Sequence, residues 1–207
     1  MKLILIRHGE TKWVCEGLYQ GSTDVPLNRR GFAQARAVAL AIKKAKPIAV
    51  YSSKLTRARE TAKLIARVSR KQVVQDKRLN EVSFGCWEGE SHESVQIQFP
   101  KASANWYKAN WSSCPTGGES LRSLERRISG FLVDLLKKHS DHAGSCVVVT
   151  HGGPIRMFLI NLLKIKPEVF WSIRIDVASI TVMNIDARRK ELILLNSQAH
   201  LNGFKRD

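Results

Sequence analysis

Two histidines and two arginines stand where this chain can build an anion site. Met1-Lys-Leu-Ile-Leu-Ile-Arg-His-Gly-Glu-Thr11 and Ser145-Cys-Val-Val-Val-Thr-His-Gly-Gly-Pro154 each run a short apolar segment straight into a His-Gly pair. An uninterrupted run of this kind reads as a strand buried on both faces, and the glycine behind the histidine lets the backbone turn sharply at the strand's carboxyl end. His8 and His151 therefore leave the sheet at the edge where open α/β sheets bind ligands. For one such histidine a packed or capping role is the alternative. Two on matched scaffolds, the first beside Arg7, point to an anion site with chemistry in it.

Arg57 adds to this. It falls in the opening turns of a helix expected after Ser52-Ser53, where the positive end of the helix dipole disfavours a cation unless an anion is near. Two guanidiniums converging on one point match the oxygens of a phosphate through forked, charge-assisted hydrogen bonds. An ion pair of Arg57 with Glu60 is the alternative.

The elements that must position these groups follow from periodicity. Asn28 caps a helix with Ala35, Val38, Ala39 and Ile42 on one face, ended by Pro47; Ile48 to Tyr51 is a strand; Ser52-Ser53 caps a helix with Leu55, Ala58, Ala62 and Ile65 aligned. An edge strand is expected around Val73-Val74. The face Leu121, Leu124, Ile128, Phe131, Leu132 and Leu135 makes an amphipathic helix that leads into the Cys146 to Thr150 strand, and Pro154 suits the first turn of an apolar helix through Leu163. Ser179 to Ile185 and Glu191 to Leu195 read as an antiparallel hairpin around a polar turn. Strands alternating with helices predict an α/β fold whose mainly parallel sheet carries helices on both faces. Residues 91–118 break the pattern with Pro100, Trp106, Tyr107, Trp111 and Pro115, and read as an inserted cap: either a source of selectivity over the sheet edge or a surface helix whose aromatics pack on the domain.

Composition sets the outer limits. With 207 residues, 43% of them hydrophobic and 25% charged, the chain can bury one core, so a single domain over 1–207 is expected. The apolar start is too short for a signal peptide and no segment has membrane-spanning length, so a cytoplasmic location without membrane partners is expected. Cys15, Cys86, Cys114 and Cys146 lack paired or zinc-like spacing and read as free thiols. The formal charge of +16 raises a polyanionic partner. Its basic groups, however, are small and spread along the whole chain, among them Arg29-Arg30, Lys43-Lys44, Arg126-Arg127 and Arg188-Arg189-Lys190. That distribution favours a solvated basic surface attracting small anions over a specific nucleic-acid site.

Arg7-His-Gly-Glu-Thr11, Gly17-Leu-Tyr-Gln-Gly21 with Asp24-Val-Pro-Leu27, Tyr51-Ser-Ser with Arg57-Ala-Arg-Glu-Thr61, Leu79-Asn-Glu-Val-Ser-Phe-Gly-Cys-Trp-Glu-Gly89, Thr150-His-Gly-Gly153, Leu195-Asn196 and His200-Leu201 occur in order through nearly the whole chain. Together they resemble the histidine phosphatase superfamily. The resemblance implies a phosphoglycerate mutase-like fold: three layers, α/β/α, with a mainly parallel central sheet, one antiparallel strand and a small inserted cap. It implies that His8 is a nucleophile forming a phosphohistidine, that Arg7, Arg57 and His151 hold the phosphoryl oxygens, and that Glu81 is the proton donor to the leaving alcohol. Gln20 with Gly21, Thr11 and Gly152 then fall at substrate-binding positions. It implies no metal, no cofactor and a small phosphorylated metabolite as partner, for a monomer or homodimer. Such a cluster supplies the positioning and charge stabilisation that phosphoryl transfer needs, and a bound phosphate dianion itself favours the acid form of a neighbouring carboxylate.

The Phe84-Gly-Cys-Trp87-Glu-Gly segment, the short cap and His151-Gly-Gly-x-x-Arg156 look like the branch of broad-specificity and α-ribazole phosphatases, which makes α-ribazole phosphate a candidate substrate. A cofactor-dependent phosphoglycerate mutase is the enzymatic alternative, and a non-catalytic anion-binding scaffold the other. One position departs from the family pattern. Where an asparagine that bonds the substrate phosphate is usual, this chain has Val14, so either phosphate affinity is weaker or another donor, Thr11 or Ser22, fills the gap.

Overall fold

Strand β1 (Lys2–Arg7) alternates its side chains across the sheet: Leu3 and Leu5 enter one buried cluster, Ile4 and Ile6 the other. This two-sided burial is what the uninterrupted apolar run predicts. The computed structural model describes residues 1–139, 144–186 and 188–202. Along the chain follow α1 (Lys12–Cys15), α2 (Arg29–Ile42), β2 (Ala49–Ser52), α3 (Thr56–Ser69), β3 (Val73–Gln75), α4 (His92–Gln98), α5 (Pro100–Tyr107), α6 (Leu121–His139), β4 (Ser145–Thr150), α7 (Gly152–Leu163), β5 (Ile180–Ile185) and β6 (Lys190–Ser197). The strands form one sheet in the order β3-β2-β4-β1-β5-β6. β3, β2, β4 and β1 are mutually parallel, whereas β5 runs antiparallel to both β1 and β6. The expected hairpin is thus β5 and β6; Ala187, in its polar turn, lies outside the described residues.

Helices cover both faces. α2 and α3 present Val38, Ala39, Ile42, Ala58, Ala62 and Ile65 to Ile4, Ile6, Val147 and Val149. On the other face α6 and α7 pack Leu124, Ile128, Phe131 and Phe158 against Leu3, Leu5 and Val148. These are the three layers expected from the alternation of strands and helices.

Two helix boundaries differ from expectation. α2 ends at Ile42, gives way to a 3-10 turn over Lys43–Ala45 and stops at Lys46 in a left-handed conformation, so Pro47 follows the end rather than causing it. At α3 the flanking position is Leu55, not a serine. The Asp24 carboxylate, arriving from another loop, accepts from the Thr56 backbone N–H at 2.6 Å and does the capping. Ser53 Oγ accepts from the Leu55 N–H at 3.2 Å, at the helix start, and has a second task besides. All four cysteines are free, with Cys146 buried and the others exposed.

Candidate active site

Register decides where the histidines go. Arg7 pairs with Thr150 across β1 and β4, so His8 and His151 are the next residues on adjacent parallel strands and leave the sheet at one level. Their rings lie 5.0 Å apart between centroids. On the far side of β4, Ser52 pairs with Val149, which brings Ser53 alongside His151.

His8 Nδ1 lies 2.7 Å from the Gly9 carbonyl oxygen. A carbonyl only accepts, so Nδ1 carries the proton and Nε2 keeps its lone pair. The ring is 2% exposed. Burial first, then Arg57 and Arg7, hold its pKa well below the ordinary histidine value against the opposing Gly9 carbonyl, and the ring is neutral near pH 7. His151 is fully buried and is likewise held well below its usual pKa, by burial and then by Arg57, His8 and Arg7. Its Nδ1 accepts from Arg57 Nε at 3.3 Å, which places the proton on Nε2, 2.8 Å from Ser53 Oγ.

Arg57 does not pair with Glu60, which instead bonds Lys63. Its Nη1 donates to the Thr23 carbonyl at 2.8 Å and its Nη2 to the Gly21 carbonyl at 2.6 Å, leaving further N–H groups on both nitrogens. Burial lowers its pKa to about 10, so it stays charged at neutral pH. Arg7 donates from Nη1 to the Ile175 carbonyl, while its Nε is buried with no hydrogen-bond partner. Two guanidiniums are thus fixed beside a bare imidazole nitrogen with donors to spare.

Glu81 is placed from the opposite side. Its Oε1 accepts from the backbone N–H of Gly153 at 3.1 Å and of Val82 at 2.9 Å. A Cβ on Gly153 would stand 2.5 Å from Oε1, so this approach to the start of α7 requires glycine. Arg127 fixes the same loop, donating to the carbonyls of Arg78 and Asn80 at 2.6 Å and of Glu81 at 3.1 Å while pairing with Glu119. The Arg126-Arg127 pair reads in sequence as solvated surface; only the tertiary structure shows what Arg127 holds.

The remaining predicted positions divide. Arg7, His8, Gln20, Gly21, Glu81 and Gly152 line one cavity of about 290 Å³ together with Val14, Leu18, Tyr19, Phe84, His92, Tyr107, Arg156 and Trp171. Thr11 is fully buried and does not line it: its Oγ1 accepts from Gln20 Nε2 at 2.6 Å and from the Val14 N–H at 3.2 Å. Ser22 Oγ turns to Glu88 at 2.9 Å. Neither hydroxyl therefore stands in for the side chain missing at Val14. Glu88, quoted in the sequence only as part of a motif, gathers Ser22 N, Thr23 N, Thr23 Oγ1 and Phe84 N at 2.5–2.9 Å. Burial pushes its pKa up, but hydrogen bonds from Thr23, Ser22 and Phe84 outweigh that and hold it below the usual carboxylate value. It anchors the loop whose carbonyls orient Arg57.

The cap packs on the domain and also lines the cavity. Trp106 of α5 is fully buried against Trp87 and Trp171, with ring centroids 6.2 and 5.6 Å away. The next residue, Tyr107, faces the cavity and bonds Tyr19 and His92 through its hydroxyl. Among the described residues no group of three or more His, Cys, Asp or Glu is placed to hold a metal ion, and no helix is long and apolar enough to cross a membrane.

Residues 3–198 match the family model described as histidine phosphatase superfamily (branch 1). Over 204 residues the chain is 35% identical to phosphoserine phosphatase 1 of Hydrogenobacter thermophilus, covering 99% of this chain and 96% of that protein. It is 30% identical to the adenosylcobalamin/alpha-ribazole phosphatase of Escherichia coli, covering 96% and 97%. Among solved structures, the phosphoserine phosphatase of Entamoeba histolytica in complex with phosphoserine superposes with a TM-score of 0.84 at 33% identity, covering 97% of this chain and 98% of that one.

Proposed function

The chain belongs to branch 1 of the histidine phosphatase superfamily, and from that premise we propose that it hydrolyses a small phosphomonoester in two steps through a phosphohistidine on His8. The observation that carries this reading is the 2.7 Å contact between His8 Nδ1 and the Gly9 carbonyl, which leaves Nε2 unprotonated amid Arg7 and Arg57. In the first step Nε2 forms a bond to phosphorus as the ester P–O bond breaks. Arg7, Arg57 and His151 hold the equatorial oxygens, and Glu81, in its acid form, gives its proton to the departing alkoxide. In the second step water attacks phosphorus, its proton passes to the Glu81 carboxylate, and the electron pair of the N–P bond returns to Nε2. Gln20 and Gly152 line the cavity, and Thr11 acts through Gln20.

His151 must donate to a phosphoryl oxygen, yet its Nδ1 is an acceptor in the free site. The Ser53 hydroxyl can accept from Nε2 or donate to it, so either tautomer of His151 keeps this partner; with the proton exchanged to Nδ1, Arg57 Nε gives up the ring and is free to turn to the phosphoryl group.

All of these roles fall to protein side chains, so phosphate release is expected to persist in chelator. The relatives' names offer phosphoserine and α-ribazole phosphate as substrates, and Tyr19, Phe84 and Trp171 supply aromatic walls for the flat base of the second. The test is phosphate release in chelator from an aryl phosphate, phosphoserine and α-ribazole phosphate, by native protein and by His8→Ala. Release abolished by the substitution is expected. Phosphoryl exchange between phosphoglycerates without release to water would replace the hydrolase by a mutase.

A further inference from the structure

Arg156 is a cation for which the proposed phosphoryl transfer has no use. It lines the cavity, donates from Nε to the Ile173 carbonyl at 2.7 Å, and lies over the rings of Phe170 and Trp171, 5.7 and 5.4 Å from their centroids. These contacts fix the guanidinium plane and occupy only its Nε. Nη1 and Nη2 make no protein hydrogen bond and the side chain has no ion-pair partner among the described residues. A guanidinium held rigidly by stacking, with both outer nitrogens open to a cavity, is built for forked recognition of an anion.

Its position says which part of a substrate it meets. A Cβ built on Gly152 would lie 3.2 Å from Arg156 Nη1 and 3.9 Å from Glu81 Oε2, so both groups flank the same point at the start of α7. Glu81 faces the leaving oxygen in the proposed reaction. Arg156 therefore stands beside the ester oxygen, where Arg7 and Glu81 are the charges that act on it. Charge points the same way. Asp176 acts on Arg7, and Asp24 and Glu88 act on Arg57, whereas the carboxylate acting on Arg156 is Glu81, which the proposed reaction uses as its proton donor.

Resting on the phosphomonoesterase reading, we propose that Arg156 is the specificity residue for a carboxylate carried on the leaving alcohol, close to the ester oxygen. The substrate class is then a phosphorylated hydroxy or amino acid. The Tyr19, Tyr107 and His92 hydrogen-bonded group lines the same cavity and offers further polar contacts to such an alcohol.

Phosphoserine and phosphoethanolamine test this directly, because they share phosphate, alkyl ester and ammonium and differ in the carboxylate alone. The native protein is expected to prefer phosphoserine in kcat/KM. In Arg156→Met the ratio of the two kcat/KM values is expected to fall about 100-fold, as when a site loses its partner for one charged group. Arg156→Lys, which keeps the charge but not the fork, should lose part of that ratio and controls for folding. A ratio that is the same in native and Arg156→Met protein, including an equal loss on both compounds, overturns the proposal. If native protein releases phosphate from neither compound, the aryl phosphate and α-ribazole phosphate assays test the hydrolytic reading by themselves. Calorimetric binding of the same two compounds to native and Arg156→Met protein then decides the subsite: a selective loss of phosphoserine affinity upholds it, and equal affinities overturn it.

Discussion

Replacing Gly153 by alanine separates the chemistry of Glu81 from the stability of the fold. The added Cβ would sit 2.5 Å from Glu81 Oε1 but 3.5 Å from Val82 Cγ1, so the carboxylate is the group that has to give. It lies at the end of a flexible side chain and must retreat by about 1 Å, a displacement that costs ~10²-fold when a reacting group is misplaced. The Gly153 N–H that orients Oε1 at 3.1 Å is weakened by the same movement. Gly153 lies in the first turn of α7 without a left-handed backbone, so alanine there adds helix propensity, about 1 kcal/mol at most. The expected protein is as stable as the native one or slightly more so, and poorly active. Because general acid catalysis contributes ~10²–10⁴-fold, and does so where the leaving group needs a proton, the loss should be large for an alkyl phosphate and small for a nitrophenyl phosphate. Glu81→Gln should show the same dependence on the leaving group. Steady-state kinetics on both ester types, with thermal melts, provide the readout. An equal loss on the two esters, or a melting temperature that falls with activity, would refute the assignment of Glu81 and the reason given for Gly153.

His8 and His151 are held below their ordinary pKa, so the unfolded chain binds their protons more readily than the native one. Stability is then full above about pH 6.5 and is lost as pH falls below it, by up to about 1.4 kcal/mol per pH unit for each histidine; urea unfolding at pH 7 and pH 5 should show the decrease, and pH-independent stability would contradict it. kcat/KM should hold through pH 6.5 and decline only at lower pH, because Nε2 of native His8 takes up a proton well below the ordinary histidine pKa. Glu88→Ala leaves the N–H groups of Ser22, Thr23 and Phe84 without their partner. It should cost about 1–3 kcal/mol and raise KM for phosphomonoesters, measured by urea melts and kinetics.

How much of this the sequence carried depended on whether the cause was local. The Asn28 cap, with Oδ1 accepting from the Gly31 N–H at 2.7 Å, and the apolar faces of α2, α3 and α6 follow from residues a few positions apart. The strand and His-Gly repeat was legible for the same reason, and parallel pairing of β1 with β4 turned it into one site. What escaped was set by partners distant in the chain. Ser52-Ser53 carries the residue type of a cap; Ser53 does accept from the Leu55 N–H, but Asp24 takes the Thr56 N–H and Ser53 also reaches His151. Arg127 looks like solvated charge until three carbonyls of the 78–81 loop converge on it. Thr11 and Ser22 have the right chemistry to replace an asparagine at Val14, yet Gln20 and Glu88 already engage them. Arg156 was visible as part of a motif; that its outer nitrogens make no protein hydrogen bond among the described residues was not.

The most direct test of the account is rapid acid quench of the native protein during turnover of a phosphomonoester in chelator, followed by intact-mass and peptide analysis. The account predicts one acid-labile phosphoryl group on His8, formed before phosphate appears and absent in His8→Ala. Steady phosphate release with no such adduct, or an adduct that persists in His8→Ala, would contradict it.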